Sequence, residues 1–440
     1  MNKTIKKVKN KPQKLLLLSF LAVIFTGSLL LYLPISHNGE LSYINSLFIS
    51  TSAVCVTGLS VIDVSSQLTV FGKIILLILI QIGGLGLMTF IGIIIWGLKA
   101  KISFSNQNVL QYAFLQKTPR FSLKSFILFL FKYTLIVESI GAIFLIIFSS
   151  DKNIVRRIFY SIFHSVSAFC NAGFSLYSDG LVRYHDNTGY TLTIAFLIIT
   201  GGIGFLVVFE IVAAIKNRFL KKIKVYHSFL SLNSWIVINV TIALLILGTI
   251  IFYFFEPITL LEAFFQSVTT RTAGFNTIDL NSLSHESKFI TMVLMFIGGS
   301  PGSTAGGIKT TTFALLFLVT FMANNNFKDV TIRKRRIPNS VIYQALVLFL
   351  LYIVFLFISI AVLLYTHPDI YFLDIIFEAV SAIGTVGLSL NVTQKLIASS
   401  KIVIILIMFI GRVGPALIFS ILINPDNRNK KYAEEKILIG

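Results

Sequence analysis

Charge is scarce in this chain, and acidic charge above all. Only 12% of its 440 residues are charged, with 18 Asp and Glu against 37 Lys and Arg. A soluble domain carries about 25% charged residues, so one globular core in water is excluded. Cysteine is nearly absent. Cys55 and Cys170 are the two, and neither has a second Cys or a His at metal-ligand spacing, which excludes zinc and iron–sulfur sites. There is no G-x-x-x-x-G-K-[ST] loop and no Rossmann fingerprint, so any nucleotide chemistry belongs to another chain. H-E-x-x-H and paired aspartates are also missing. Glu138, Glu210 and Arg412 stand isolated in the apolar runs, too few convergent groups for an intramembrane enzyme.

What the chain has is hydrophobic length. Mean hydropathy is +0.86, and runs such as 15–33, 74–95, 236–255 and 341–364 approach or exceed the ~20 apolar residues that span a bilayer core. The first run is too long for a signal core and no A-x-A-like site follows it, so it reads as a retained first transmembrane helix. The net charge of +19 does not point to nucleic acid. Basic clusters at Lys3–Lys14, Lys99–Lys124, Lys216–Lys224, Arg333–Arg336 and Arg428–Lys431 fall in every second connection. The intervening connections carry Glu40, Asp63, Asp179, Asp186, Glu256, Asp279, Glu286 and Asp369. This alternation predicts a multi-pass cell-membrane protein with both termini cytoplasmic. A smaller share of the basic loops is left to a cytosolic partner or to anionic lipid head groups.

A repeat lies within the hydrophobicity. Four stretches read TSAVCVTGLS (51–60), SVSAFCNAGFS (165–175), SVTTRTAGFN (267–276) and AVSAIGTVGLS (379–389). They align on Gly58, Gly173, Gly274 and Gly387. A second glycine element follows each by 24 to 28 residues: QIGGLG from 81, TGGIGF from 200, IGGSPG from 297 and IGRVG from 410. The prediction is an all-α integral membrane protein of four pseudo-symmetric units, each a helix, a short pore helix, a filter turn and a second helix, around a central ion pore. The units cover 15–100, 121–218, 228–325 and 339–424, between tails 1–14 and 425–440. First helices are expected at 15–33, 122–148, 230–255 and 340–365, re-entrant segments at 43–55, 157–170, 259–271 and 371–383. Second helices are expected at 71–97, 190–215, 287–322 and 399–423. That makes about eight spans.

Irregular backbone at membrane depth survives only where protein buries it or where it lines a water-filled cavity. Four glycine turns converging on one axis would offer rings of carbonyl oxygens that replace a cation's hydration shell. Glycine permits backbone angles that a Cβ would block, and each short helix aims the negative end of its dipole at the cavity. None of the turns contains Asp or Glu, and such a site needs none. The candidate filter is Val56, Thr57 and Gly58; Asn171, Ala172 and Gly173; Thr272, Ala273 and Gly274; Thr385, Val386 and Gly387.

These four turns, the third reading TRTAGF, resemble the potassium-transporter superfamily that includes KtrB, TrkH and the plant HKT proteins, over nearly the whole chain. Without the two extra N-terminal helices usual in TrkH-type chains, the resemblance is nearest to the KtrB type. It implies that the four aligned glycines are the filter glycines and that glycine, not serine, at position 58 favours potassium. A sodium-permeable or weakly selective conductor of the same architecture is the alternative. The third glycine element, which expands across residues 298–314, is similar to the family's intramembrane gate loop, giving Gly298, Gly299, Ser300, Gly302, Ser303, Thr304, Gly306, Gly307 and Lys309 as gate residues. Arg412 resembles the pore arginine that contacts that loop and repels cations from a closed pore. A passive kink and a structural tie to carbonyls freed by Pro415 are the competing readings. The resemblance further implies potassium as the transported ion, sodium as an activator in some members, a homodimer, and a cytosolic KtrA-like ring of nucleotide-binding subunits that carries ATP or ADP.

Other polar residues read as structural. Arg271 should point behind its turn and brace the pore wall. Glu138 should make an interhelical hydrogen bond before it serves as a proton or sodium site. His164 reads as a hydrogen-bonded structural histidine, Glu210 as solvated, and Lys309 as a partner for another chain or a lipid phosphate.

Overall fold

The computed structural model describes residues 12–86, 123–219, 230–323, 330–333 and 335–415. The N-terminal tail to residue 11, most of the basic connection Lys99–Lys124, residues 220–229 and the C-terminal tail lie outside the described residues.

The architecture is helical. In chain order the longer helices are α1 (Pro12–Tyr32), α2 (Tyr43–Val54), α3 (Val70–Leu85), α4 (Leu123–Phe148), α5 (Ile154–Phe169), α6 (Thr188–Gly202) and α7 (Phe205–Phe219). They continue with α8 (Leu232–Phe255), α9 (Leu260–Thr269), α10 (His285–Phe296), α11 (Thr310–Ala323), α12 (Asn339–Thr366), α13 (Phe372–Gly384) and α14 (Ala398–Val413). A two-residue antiparallel ladder pairs β1 (Thr331–Ile332) with β2 (Arg335–Arg336). The short helices start where side chains satisfy free backbone N–H groups. Ser42 caps α2, Asn153 caps α5, and Thr259 with Glu262 forms a capping box on α9.

The second helices are not the continuous spans expected at 71–97, 190–215, 287–322 and 399–423. Helix α3 stops at Leu85, before Gly86 at φ 76°, and α14 stops at Val413, before Gly414 at φ 90°. Helices α6 and α7 meet at 96° across Ile203 and Gly204, whose φ is 97°. Helices α10 and α11 are separated by the whole segment 297–309. A left-handed residue cannot continue a right-handed helix, so the second glycine element breaks the chain in every case, not in the third alone. Residues 87–97 and 416–423 lie outside the described residues. Three described helices, at 125–148, 232–255 and 339–366, are long and apolar enough to cross a membrane singly, and the bent pair α6–α7 adds a fourth if it is one span.

Small residues let the short helices approach the long ones. A Cβ on Gly27 of α1 would lie 2.6 Å from Ser50 Oγ of α2 and 2.7 Å from Leu79 of α3. One on Gly141 of α4 would lie 2.7 Å from Ser165 Oγ and 2.6 Å from Leu197. Gly248 of α8 meets Ser267 and Leu294 in the same way. Each serine then donates to a carbonyl one turn earlier on the long helix: Ser50 to Ile24 at 2.7 Å, Ser165 to Glu138 at 2.6 Å, Ser267 to Leu245 at 2.9 Å. This is the small-residue, side-chain-to-backbone packing by which apolar helices associate where no water drives them together. Gly141→Leu is expected to overpack the α4–α5–α6 crossing by about 1–3 kcal/mol. Thermal unfolding in detergent should show a fall of several degrees; an unchanged midpoint would contradict the crossing.

Candidate functional site

Helices α2, α5, α9 and α13 each end against a turn of the same backbone shape. The residue two before the aligned glycine is left-handed without being glycine: Val56 (φ 56°), Asn171 (57°), Thr272 (75°) and Thr385 (51°). The glycine is left-handed too, at 92°, 68°, 77° and 95° for Gly58, Gly173, Gly274 and Gly387. Left-handed backbone costs an ordinary L-residue roughly 1–2 kcal/mol, so the preceding helix must hold it. It does so through the N–H groups. Thr57, Ala172 and Val386 donate to the carbonyls of Ser52, Ser167 and Ser381, at 2.8, 2.8 and 2.9 Å. Gly58 and Gly387 donate to the Ser52 and Ser381 hydroxyls at 3.0 and 3.1 Å. No described hydrogen bond uses the carbonyl oxygens of 56–58, 171–173, 272–274 or 385–387. Most of the turn donors are committed, those of Gly173 and Thr272 apart, and the acceptors take part in no described hydrogen bond.

The four turns touch in a closed cycle. A Cβ on Gly58 would lie 2.6 Å from the Ala172 carbonyl oxygen, and one on Gly173 would lie 2.8 Å from that of Ala273. Gly274 faces the Val386 oxygen and Gly387 faces that of Thr57, which returns the cycle to its start. Turns one and three are therefore diagonal, as are two and four. The hydroxyls of Thr57, Thr272 and Thr385 are buried in these turns without a hydrogen-bond partner. On one side the glycines border a cavity of about 400 Å³, lined also by Ser60, Asp179, Asn276, Asp279 and Ser389.

The third turn is shorter. Phe265 precedes Gly274 by nine residues, whereas Phe48, Phe163 and Phe377 precede their glycines by ten. Arg271 still directly precedes the left-handed Thr272, the slot that Cys55, Cys170 and Gly384 hold before Val56, Asn171 and Thr385. It runs behind the turn, with Nη1 3.4 Å from the Thr241 carbonyl and Nη2 3.5 Å from that of Gly298.

On the other side of the ring lies the segment 297–309. Ser300 and Thr304 donate through N–H to Gly202 and Gly201, at 3.1 and 3.3 Å, and Phe205 N–H donates to Gly302 at 2.9 Å. The Thr304 hydroxyl donates to Phe169 at 3.2 Å, and that of Ser303 turns back to Ser300 at 2.7 Å. Gly299 accepts from Thr310 N–H at 3.2 Å. Gly306 abuts Thr385 of the fourth turn, and Gly298 packs on Gly306 and Gly307. Arg412 donates from Nη1 to Thr304 and from Nη2 to Gly83 of α3, both main-chain carbonyls. Among the described residues the Lys309 Nζ folds back onto its own loop, onto Ala305 at 2.7 Å and Gly306 at 3.4 Å.

Sequence reasoning missed Tyr352 of α12, whose buried hydroxyl lies 3.2 Å from the carbonyls of both Gly307 and Gly411. Tyr352 is one of three tyrosines in a 28-residue apolar helix, with Tyr343 and Tyr365, and nothing in the sequence singles it out for such a contact. Glu210 was expected in solvent, yet it accepts from Ser231 N–H at 2.9 Å and the Ser234 hydroxyl at 2.7 Å, at the start of α8. Glu138 accepts from Gln81 Nε2 at 3.1 Å and so links α4 to α3, with Cys170 beside both.

The sequence profile of the TrkH cation transport proteins matches residues 4–432. The chain belongs to the TrkH family. Among its relatives, the Ktr system potassium uptake protein B of Bacillus subtilis strain 168 is 37% identical, with 100% of this chain and 99% of that protein covered. The protein of the same name from Vibrio alginolyticus is 34% identical over 99% of this chain and 96% of its own length. The potassium/sodium uptake protein NtpJ of Enterococcus hirae is 37% identical over 100% and 99%. The crystal structure of the potassium transporter TrkH from Vibrio parahaemolyticus shares the fold, with a TM-score of 0.74 at 19% identity, covering 95% of this chain and 85% of that one. The site described above thus lies in a membrane protein of the TrkH family of cation transporters.

Tyr352→Phe removes the single proton shared between Gly307 and Gly411. About 1 kcal/mol of local stability should go with it, or roughly fivefold faster amide exchange across 297–309. Hydrogen-exchange mass spectrometry checks this, and unchanged exchange there would contradict the contact.

Proposed function

We propose that this chain is the potassium-translocating subunit of a Ktr-type uptake system, and that the four glycine turns are its selectivity filter. The observation that carries the reading is the closed cycle of Gly58, Gly173, Gly274 and Gly387, whose turns offer carbonyls that no described hydrogen bond uses. Such oxygens, with the C-terminal dipole ends of α2, α5, α9 and α13 behind them, favour a cation without any acidic side chain. In this reading the chain is four pseudo-symmetric units around one pore, and the cavity bordered by Asp179 and Asp279 is its outer mouth.

The segment 297–309 is the gate. It packs against the fourth turn through Gly306, and Arg412 fastens it to α3 while setting a guanidinium on the path. A fixed positive charge there opposes cation passage until the loop moves. Relatives named for a Ktr system support a multi-component assembly. We take it to be a homodimer in the cell membrane, termini cytoplasmic, on a KtrA-like ring that binds ATP or ADP. Sodium as an activator belongs to the same proposal.

A sodium-permeable conductor is the second reading, favoured by the relative named as a potassium/sodium uptake protein. Uptake into proteoliposomes decides between them, comparing potassium, rubidium and sodium for wild type and Gly58→Ser. Potassium and rubidium flux well above sodium, with the preference lost in the variant, is the expected result. Equal fluxes that the substitution leaves unchanged would overturn the filter assignment.

A further inference from the structure

Behind the ring, the short helices share a slot that none of the turn motifs assigns. Each carries a fully buried phenylalanine, Phe48, Phe163, Phe265 or Phe377, followed by Ile49, His164, Gln266 or Glu378. In the second and fourth turns this next residue reaches past the glycine to the loop beyond it. His164 Nε2 lies 3.1 Å from Ser175 Oγ and accepts from Leu176 N–H at 3.2 Å. A backbone N–H can only donate, so Nε2 is bare and the ring proton sits on Nδ1, 3.3 Å from the Tyr190 hydroxyl. Glu378 Oε2 accepts from Ser389 Oγ at 2.7 Å, and Oε1 accepts from the Thr393 hydroxyl. Ser175 and Ser389 hold the same place, two residues after their glycines.

The other diagonal is built differently. Ser60 donates to Ile62 at 2.7 Å and Asn276 to Ile278 at 3.3 Å within their own loops, as Ser175 does to Gly180 at 3.0 Å. Neither Ser60 nor Asn276, however, meets a side chain of its short helix among the described hydrogen bonds. Ile49 is apolar, and Gln266 makes no hydrogen bond to the loop. His164 and Glu378 are fully buried, where a polar group is costly unless it is satisfied. Both are satisfied by the segment just outside the glycine. The spacing of a carbonyl ring, through which it can tell cations of different radius apart, has to be held by such supporting contacts.

We propose that His164 and Glu378 are positioning residues, a diagonal pair of hydrogen-bonding braces that fix the outer ends of the second and fourth turns and thereby set the ring's discrimination between alkali cations. This rests on the reading of the ring as a cation filter. Rubidium and sodium flux into proteoliposomes tests it, at graded cation concentrations, with the thermal midpoint of each variant recorded alongside. The variants are His164→Phe, Glu378→Leu, Ser389→Ala, His164→Gln and Glu378→Gln, with Gly58→Ser as the filter control. The rubidium-over-sodium preference should fall about three- to tenfold in the first three, the range that one lost hydrogen bond allows. It should be retained in both Gln variants, whose amide oxygens still accept from the loop. Should His164→Phe or Glu378→Leu fail to fold, Ser389→Ala decides, because it leaves the helix intact. Preference unchanged in the brace variants but altered in Gly58→Ser would overturn the braces and leave the filter standing. Preference unchanged in Gly58→Ser as well would overturn the filter reading and the braces with it.

Discussion

Four glycine backbones lie within van der Waals reach of one another, each facing the carbonyl oxygen next to its neighbour's glycine. That proximity leaves no room for a Cβ, and it requires left-handed angles at eight residues, four of which are not glycine. The remaining features follow from meeting this demand. The C-terminal turns of α2, α5, α9 and α13 supply acceptors to the strained N–H groups. The serines on those helices lock to the long helices α1, α4 and α8, and glycines in the long helices let them come close enough. The ring is thus held from behind by packing, and its carbonyls are left without partners among the described hydrogen bonds.

Placing the segment 297–309 against the ring uses the same device. Every second glycine element ends or bends its helix at a left-handed glycine, or opens it into a loop, and the ends so created offer carbonyls at membrane depth. Gly83, Gly201, Gly202 and Gly411 belong to these ends, and the segment 297–309 with Arg412 and Tyr352 is tied to all four. Breaking the helices therefore provides the acceptors that hold the loop. Arg412 has two carbonyls and no carboxylate as partners among the described hydrogen bonds, so its charge is not neutralised there.

Much of this was legible in the sequence. The long apolar runs located α1, α4, α8 and α12 to within about three residues, because length in hydrocarbon is a strong constraint. The glycine turns pointed to the residues that the structure brings together. An apolar helix of 10–16 residues is too short to span, and the polar turn that follows it has to be buried in protein or line a cavity. The breaks at Gly86, Gly204 and Gly414 were not legible. A single glycine in an apolar helix ordinarily serves close packing, and only the density of Gly and Ser around 298–307 marked the third break. Alignment on the last glycine hid the one-residue shortening before Gly274, which shows only when the buried Phe265 is matched to Phe48, Phe163 and Phe377. Glu378 went unnoticed because an acid beside apolar residues in a short segment gives no sign of which loop folds over it.

In the proposed filter, cations stand on the axis of the glycine ring, coordinated by main-chain carbonyls. A crystal structure grown in rubidium, with anomalous scattering recorded at the rubidium edge, tests it most directly. The account predicts peaks on the axis between the carbonyls of Thr57, Ala172, Ala273 and Val386. Anomalous peaks confined to the outer cavity or the protein surface, with none inside the ring, would contradict it.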